Sequence, residues 1–150
     1  IPRLIDLGVQ PNLIAPAINV AMAQRLVRKL CKECRKKDEP NAAESKRING
    51  TIKDFPDNFR KDLKNKKIVL WRAVGCPVCN NIGYKGRIGI FEMILIDDRV
   101  EQMILQNPTH KQLSEEMKRQ NMITLFQDGI LKVLDGVTSL EEVERVAGAK

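Results

Sequence analysis

The chain has 150 residues, of which 43% are hydrophobic, enough for one modest domain or two small ones. Only 4% of the residues are aromatic, so the predicted core is mainly aliphatic. The longest stretch without charge, residues 7–24, contains prolines and amide side chains and is not expected to span a membrane. The chain begins Ile1-Pro2-Arg3, with neither an initiator methionine nor a compact apolar leader, so we expect a piece of a longer protein.

The net charge of +7 is concentrated in the middle of the chain. Residues 28–67 hold 14 Lys and Arg against 7 Asp and Glu, and the remainder of the chain is balanced. Such a segment suits nucleic acid, anionic lipid or an acidic protein partner. Because the charges are mixed in sign and lack interleaved aromatic residues, the sequence favours a solvated, mobile insert over 35–66 with little core of its own.

Apolar residues between Leu13 and Leu30 recur at helical spacing, with Ile14, Ile18, Met22 and Leu26 four residues apart. Pro11 stands just before this stretch, where a helix start tolerates proline. The spacing predicts one long, well-buried helix that runs directly into Cys31.

The remaining elements are short. A helix is predicted after Pro56, and strands are predicted at 68–71 and 88–96, on either side of a turn-rich stretch. The last third is expected to be helical. It comprises a helix capped at Asp97, one after Pro108, one over residues 125–134 and a last one with a capping box from Thr138 to Glu141.

The four cysteines fall in two pairs, Cys31 with Cys34 and Cys76 with Cys79, each pair separated by two residues. That spacing lets a tight turn direct both sulfurs at one ion, and two such turns complete a tetrahedral zinc site. The long segment between the pairs adds little cost, because doubling a loop adds only ~0.6 kcal/mol. A site closed by four thiolates predicts a structural zinc ion.

Three other uses of the cysteines remain open. A redox dithiol needs only one such pair, two disulfides need an oxidising compartment, and an iron–sulfur cluster also takes four thiolates. Basic residues around Cys31 and Cys34 favour the thiolate form, which a metal binds. The single histidine, His110, is expected on the surface.

Five stretches together resemble the type II secretion and type IV pilus-assembly ATPase family. The most specific are Gln24-Arg25-Leu26-Val27-Arg28-Lys29-Leu30-Cys31, and Gly75-Cys76-Pro77-Val78-Cys79 followed by Gly83-Tyr84-Lys85-Gly86-Arg87. The others are residues 3–9, the Asp128-Gly129 pair, and 136–143. The matches follow the family's order over nearly the whole chain and leave out the basic segment.

The resemblance implies an α+β fold, mainly helical, with a small β-hairpin zinc subdomain and a C-terminal helical bundle. It places the end of a RecA-like ATPase core at 1–30, the tetracysteine zinc subdomain at 31–90 and the helical domain at 91–150. Family members form hexamers on the cytoplasmic face of the inner membrane. They use ATP and Mg²⁺ to assemble pilin or pseudopilin together with inner-membrane platform proteins.

The phosphate-binding pattern G-x-x-x-x-G-K-[ST] does not occur in these residues, so the chain alone is expected not to hydrolyse ATP. By resemblance Arg87 stacks on adenine, a cofactor-binding role that competes with a structural one near the cysteines. Arg25 and Arg28 are candidates for subunit contacts. A zinc-ribbon-like nucleic-acid-binding module and a purely structural interaction domain are the alternative functions.

Overall fold

A computed structural model describes residues 1–64 and 68–148 of the chain, and the fold there is α+β. The helices are α1 (Pro2–Asp6), α2 (Pro11–Ala17), α3 (Ala42–Lys53), α4 (Asp57–Lys64), α5 (Asp98–Leu105), α6 (His110–Arg119), α7 (Leu125–Leu134) and α8 (Leu140–Ala147). The strands are β1 (Val20–Leu30), β2 (Lys36–Asp38), β3 (Leu70–Arg72) and β4 (Tyr84–Leu95), and a 3-10 turn covers Pro77–Cys79. No helix in the described ranges is both long and apolar enough to cross a bilayer.

The chain forms two compact units, each built from two separate stretches. The first unit combines Ile1–Ala23 with Met93–Met122, and the second combines Gln24–Glu92 with Ile123–Lys150. Each unit has its own buried apolar cluster. The division of the chain into segments 1–30, 31–90 and 91–150 stays a prediction.

In the first unit, α2 and α5 pack together around an aliphatic cluster formed by Ile14, Ala15, Ile94, Ile96, Val100 and Ile104. Asp97 caps α5 as predicted, because its carboxylate accepts the Val100 N–H at 3.0 Å. In the second unit, helices α3, α4, α7 and α8 surround strand β3. Their shared cluster contains Ile48, Ile52, Phe55, Leu63, Leu70, Ile130, Val133, Leu140 and Val143.

The predicted helix from Leu13 to Leu30 is wrong. The helix α2 ends at Ala17, Ile18 has an extended backbone, and the strand β1 follows and pairs with β4. A spacing of four residues is even, so it satisfies the two-residue period of a strand as well as the period of a helix. Met22 and Leu26, predicted as buried, are 56% and 48% exposed.

The prediction of a coreless segment at 35–66 is also wrong. Helix α3 begins with a capping box, in which the Asn41 side chain accepts the Glu44 N–H at 2.9 Å and the Glu44 carboxylate accepts the Asn41 N–H at 2.9 Å. Ile48 and Ile52 on this helix are 0% and 7% exposed and lie in the core of the second unit. The predicted helix after Pro56 is confirmed as α4.

The strands predicted at 68–71 and 88–96 are confirmed within β3 and β4, with shifted boundaries. Strand β3 pairs antiparallel with the short β2, with Trp71 opposite Lys37. The helix predicted over residues 125–134 is also confirmed as α7, and Gly136, two residues beyond its end, takes a φ of +68°. A Cβ there would lie 2.5 Å from Nε1 of Trp71, so glycine lets the loop close over the indole ring.

The last helix is capped one residue later than predicted. Ser139, rather than Thr138, accepts the N–H of Glu142. The Thr138 hydroxyl instead donates to the Arg28 carbonyl at 2.8 Å. The carboxylate of Glu142, which is fully buried, accepts from the Arg28 backbone at 3.0 Å and from the Arg28 and Arg145 guanidinium groups at 2.7 Å each. These bonds, the Glu142 network, attach the end of β1 to α8.

Burial raises the pKa of Glu142, but the hydrogen bonds from Arg145 and Arg28 outweigh it and lower the pKa from an ordinary 4.5 to about 2. A carboxyl group whose pKa is lowered by folding stabilises the fold fully when the pH is above its pKa in the unfolded protein. That contribution is lost as the pH falls through its pKa in the folded protein. The stabilisation from Glu142 is therefore present above pH 4.5 and is lost toward pH 2.

We expect Glu142→Ala to lower the free energy of unfolding at neutral pH by about 3 kcal/mol, because it removes the carboxylate that two guanidinium groups share. The control is Glu144→Ala, which removes a surface partner of Arg47 and is expected to cost at most ~1 kcal/mol. Urea titrations measure both values. The deficit of Glu142→Ala should shrink from pH 5 toward pH 2, in line with the lowered pKa. A deficit equal to that of the control would contradict this role.

Candidate metal centre

The first cysteine pair lies on a tight turn at the end of β1. The Cys31 N–H donates to the Gly83 carbonyl at 2.9 Å, which ties this turn to the stretch that precedes β4. The N–H groups of Cys34 and Arg35 then return to the Cys31 carbonyl at 3.3 and 3.0 Å. The chain thereby reverses direction within four residues and directs both sulfurs to the same side.

The second pair lies on the 3-10 turn Pro77–Cys79, between Gly75 and Gly83. The Cys79 N–H donates to the Cys76 carbonyl at 3.1 Å, and the next two residues, both asparagine, take positive φ angles. A Cβ on Gly83 would lie 2.7 Å from the Cβ of Ala73, and this residue has a φ of +80°. Only glycine fits this position without strain, so Gly83 allows the chain to bring the second turn close to the first.

The structure brings all four sulfur atoms within 4.8 Å of one another. The Sγ atoms of Cys31 and Cys76 are 3.9 Å apart, those of Cys34 and Cys79 are 3.8 Å apart, and those of Cys76 and Cys79 are 3.7 Å apart. A tetrahedron with metal–sulfur bonds of about 2.3 Å has edges of roughly 3.8 Å. The four-sulfur cluster therefore fits one tetrahedral ion.

The same distances separate this arrangement from its alternatives. All four cysteines are free, and sulfurs 3.7–3.9 Å apart are well beyond the disulfide bond length of about 2.05 Å. An iron–sulfur cluster places several iron atoms inside its ring of thiolates and needs a wider opening. A redox dithiol requires only two sulfurs, whereas both pairs here meet at one point.

Backbone amides point at two of the sulfurs. The Gly75 N–H donates to Sγ of Cys34 at 3.3 Å, and the N–H groups of Cys76 and Gly83 donate to Sγ of Cys79 at 3.2 Å each. Burial raises the pKa of Cys79, but its two amide donors lower it to about 6 overall. Burial and the hydrogen bonds with the three other cysteine thiols raise the pKa of Cys34 to about 11, against the lowering by its single amide donor, Gly75. Amide donors of this kind stabilise the thiolates that a metal binds.

The amino-acid sequence of the chain matches a known protein family. A family model described as type II/IV secretion system protein matches residues 1–145. The chain belongs to this family. It is 37% identical over 146 residues to the type II secretion system ATPase E of Vibrio cholerae, covering 97% of this chain and 26% of that protein.

The chain also has relatives among both type II secretion proteins and type IV pilus assembly ATPases. It is 38% identical over 147 residues to the type II secretion system protein E of Aeromonas hydrophila, across 97% of the chain and 26% of that protein. It is 34% identical over 143 residues to the type IV pilus assembly ATPase PilB of Myxococcus xanthus, across 95% of the chain and 24% of that protein. The chain thus spans about a quarter of the length of these relatives.

None of the other candidate residues from the sequence analysis belongs to the four-sulfur cluster. Arg87 is exposed on β4 and forms no ion pair with any residue in the described ranges. His110 begins α6 and is exposed, as predicted. Arg28 belongs to the Glu142 network within its own chain, while the exposed Arg25 guanidinium donates to the neighbouring Gln24 carbonyl at 3.4 Å.

The amide donors are the part of the site that the cysteine spacing does not reveal. Gly75 and Gly83 flank the second pair, and this flanking is the signal in the sequence that could have identified them. Another support is Arg35, whose guanidinium lies 4.2 Å from the Trp71 ring centre and donates to the Gly136 carbonyl. Trp71 therefore packs against Arg35, the residue that follows Cys34.

We expect Gly83→Ala to destabilise the metal-loaded chain by about 2 kcal/mol, since the added Cβ contacts Ala73 and the backbone φ is positive. It should also lower the affinity for metal, because Gly83 bonds to both Cys79 and Cys31. Urea unfolding and a chelator competition measure the two effects.

The control is Gly50→Ala, which adds a Cβ on α3 where nothing lies within 4 Å. Alanine favours a helix interior over glycine, so we expect a gain of up to ~1 kcal/mol and no change in metal affinity. Wild-type stability and affinity in Gly83→Ala would contradict the role given to this glycine.

Proposed function

We propose that this chain is the zinc-binding C-terminal region of a motor ATPase that serves type II secretion or type IV pilus assembly. The observation that carries the proposal is the four-sulfur cluster, found in a chain that belongs to the type II/IV secretion system family. Its relatives are named as secretion and pilus-assembly ATPases.

The proposed ligands are Cys31, Cys34, Cys76 and Cys79, and the proposed ion is Zn²⁺. Four thiolates in a tetrahedron match zinc by ligand type and geometry. With all four positions taken by protein, the ion has no place for water or substrate, so its proposed role is structural. It would hold the turn after β1 against the turn before β4, at a point where Cys31 and Cys79 are 1% and 5% exposed.

Purified without added metal, the chain should contain one zinc ion per molecule, measured by elemental analysis. Replacing Cys79 by serine should abolish stoichiometric zinc and lower the melting temperature, because binding energy at such a site is also folding energy. The matched control is Val78→Ala, which changes an exposed residue between two ligands and should keep zinc and stability. Less than half an equivalent of any metal, with the thiols found as disulfides, would contradict the proposal.

The ATPase activity is proposed for the parent protein. Its phosphate-binding loop would come from outside these 150 residues, whose sequence contains no G-x-x-x-x-G-K-[ST] pattern. We accordingly propose that the chain alone does not hydrolyse ATP. The parent would work with Mg²⁺ as a hexamer on the cytoplasmic face of the inner membrane, alongside platform and assembly proteins. The family relationship supports this assignment.

Arg87 is the proposed nucleotide contact in that parent. Its exposed position and its lack of an ion partner in the described part of the chain leave the guanidinium plane available to stack on a base. In the full-length protein, Arg87→Ala should weaken ATP binding by about 1–2 kcal/mol, as expected for a desolvated cation–π contact. Arg87→Lys should not restore it fully, since an ammonium has no stacking face.

Nucleotide titrations of the two full-length variants test this contact, with zinc content measured in the same samples. Zinc should be unchanged, because Arg87 is not one of the four proposed ligands. Wild-type ATP affinity in both variants would return Arg87 to a structural role.

A further inference from the structure

A cleft of about 340 Å³ opens in the second unit, beside the first cysteine turn. Its walls come from the end of β1, the turn after it, the start of β4 and the loop between α7 and α8. Four cations line it, namely Lys29, Lys32, Arg35 and Lys85, together with a single acid, Glu33. This basic cleft therefore has a net charge of about +3, counting each side chain at its usual ionisation.

The lysines of the basic cleft have no acidic partner within the described part of the chain. Lys29, Lys32 and Lys85 are exposed and form no ion pair with any residue in 1–64 and 68–148. Elsewhere in the same unit, Arg72 pairs with Asp38 and Glu44, and Lys132 pairs with Asp128. Unpaired cations gathered around one opening produce a positive potential that attracts an anionic group.

The interior of the basic cleft is apolar. Leu30 lines it and is 4% exposed, while Val137 is half-buried and Val78 is 53% exposed. A leucine or isoleucine side chain placed against these residues would remove apolar surface from water. Carboxylates on either side of that side chain would reach the lysines at the rim.

We propose that the basic cleft binds an acidic peptide segment of a partner protein, with one aliphatic side chain in the cleft and carboxylates on its lysines. The volume lies at the lower end of the range for ligand sites, about 300–1,000 Å³, which suits a few side chains. Lysines act as mobile point charges and suit flexible carboxylates, whereas phosphate sites commonly use helix N-termini or glycine amides. No helix begins among the lining residues.

The inference goes beyond the proposed function and does not depend on which metal occupies the sulfurs. A different role for the same cations would be to offset the negative charge of four thiolates around a zinc ion. The two roles differ in what a lysine substitution changes, since one alters peptide affinity and the other alters metal affinity. Both affinities are therefore measured on the same variants.

The probe is a short fluorescein-labelled peptide with a central leucine flanked by glutamates, titrated with the 150-residue chain and followed by anisotropy. Binding should weaken as ionic strength rises, because exposed charges are screened. The double variant Lys32→Glu/Lys85→Glu should weaken it by roughly ten-fold or more, since two attractive contacts become repulsive. Zinc content should be unchanged.

The control is Lys46→Glu/Lys53→Glu, which makes the same change in net charge at exposed positions on α3, outside the cleft. It should alter the affinity by less than about two-fold. A second test uses Val78→Ser, which should weaken binding of the leucine peptide but leave binding of a peptide with serine in the central position unchanged.

Three outcomes would overturn the proposal. One is equal loss of affinity in the two double variants, which would indicate attraction by net charge alone. Another is equal affinity for the leucine and serine peptides. The third is that the zinc-loaded chain does not bind the glutamate peptide. Binding of anionic vesicles by the chain would then assign the cations to a membrane surface. A change only in the zinc affinity of the lysine variants would assign them to the thiolates. If the chain as purified contains no metal and still binds the peptide, the zinc assignment is contradicted and the proposal for the basic cleft stands.

Discussion

The position of the four-sulfur cluster depends on how the end of β1 is held. Leu30 donates its N–H to the Val137 carbonyl at 2.9 Å. Two residues earlier, the backbone N–H and the guanidinium of Arg28 both donate hydrogen bonds to the buried Glu142 carboxylate. The first cysteine follows directly. A buried carboxylate is tolerated because cations and amides satisfy it, and once satisfied it fixes the strand in one register. The four-sulfur cluster is therefore held in place by an electrostatic anchor that contains none of its cysteines.

The meeting of the four cysteines was predictable because two-residue spacing is a local property, and the structure brings all four sulfurs together. The strand β1 was not predictable in the same way. Residues four apart, such as Ile18, Met22 and Leu26, satisfy both a helix and a strand, and what decides between them is pairing with β4, more than sixty residues away. Local periodicity contains no information about that partner.

The middle segment shows a second limit. Its composition is charged, yet Ile48 and Ile52, four residues apart on one face of α3, place that helix in the core, and Phe55 joins the same cluster just after the helix ends. Net charge describes the solvent-facing residues and says little about the few that are buried. The capping box at Asn41 and Glu44 was visible in the sequence and marks the start of this helix. The glycines that flank the second cysteine pair mark where amide donors lie, but which sulfur each amide bonds depends on backbone geometry.

The anchoring of β1 at both ends has a consequence for how related sequences can diverge. The strand is tied to Ile96 through the Asn19 carbonyl at its start and to Gly83 through the Cys31 N–H just after its end. Substitutions on its exposed face leave these ties intact, whereas inserting or deleting one residue would turn every side chain to the opposite face and move Arg28 away from Glu142. Evolution along this lineage should therefore permit changes of residue in β1 but purge changes in its length.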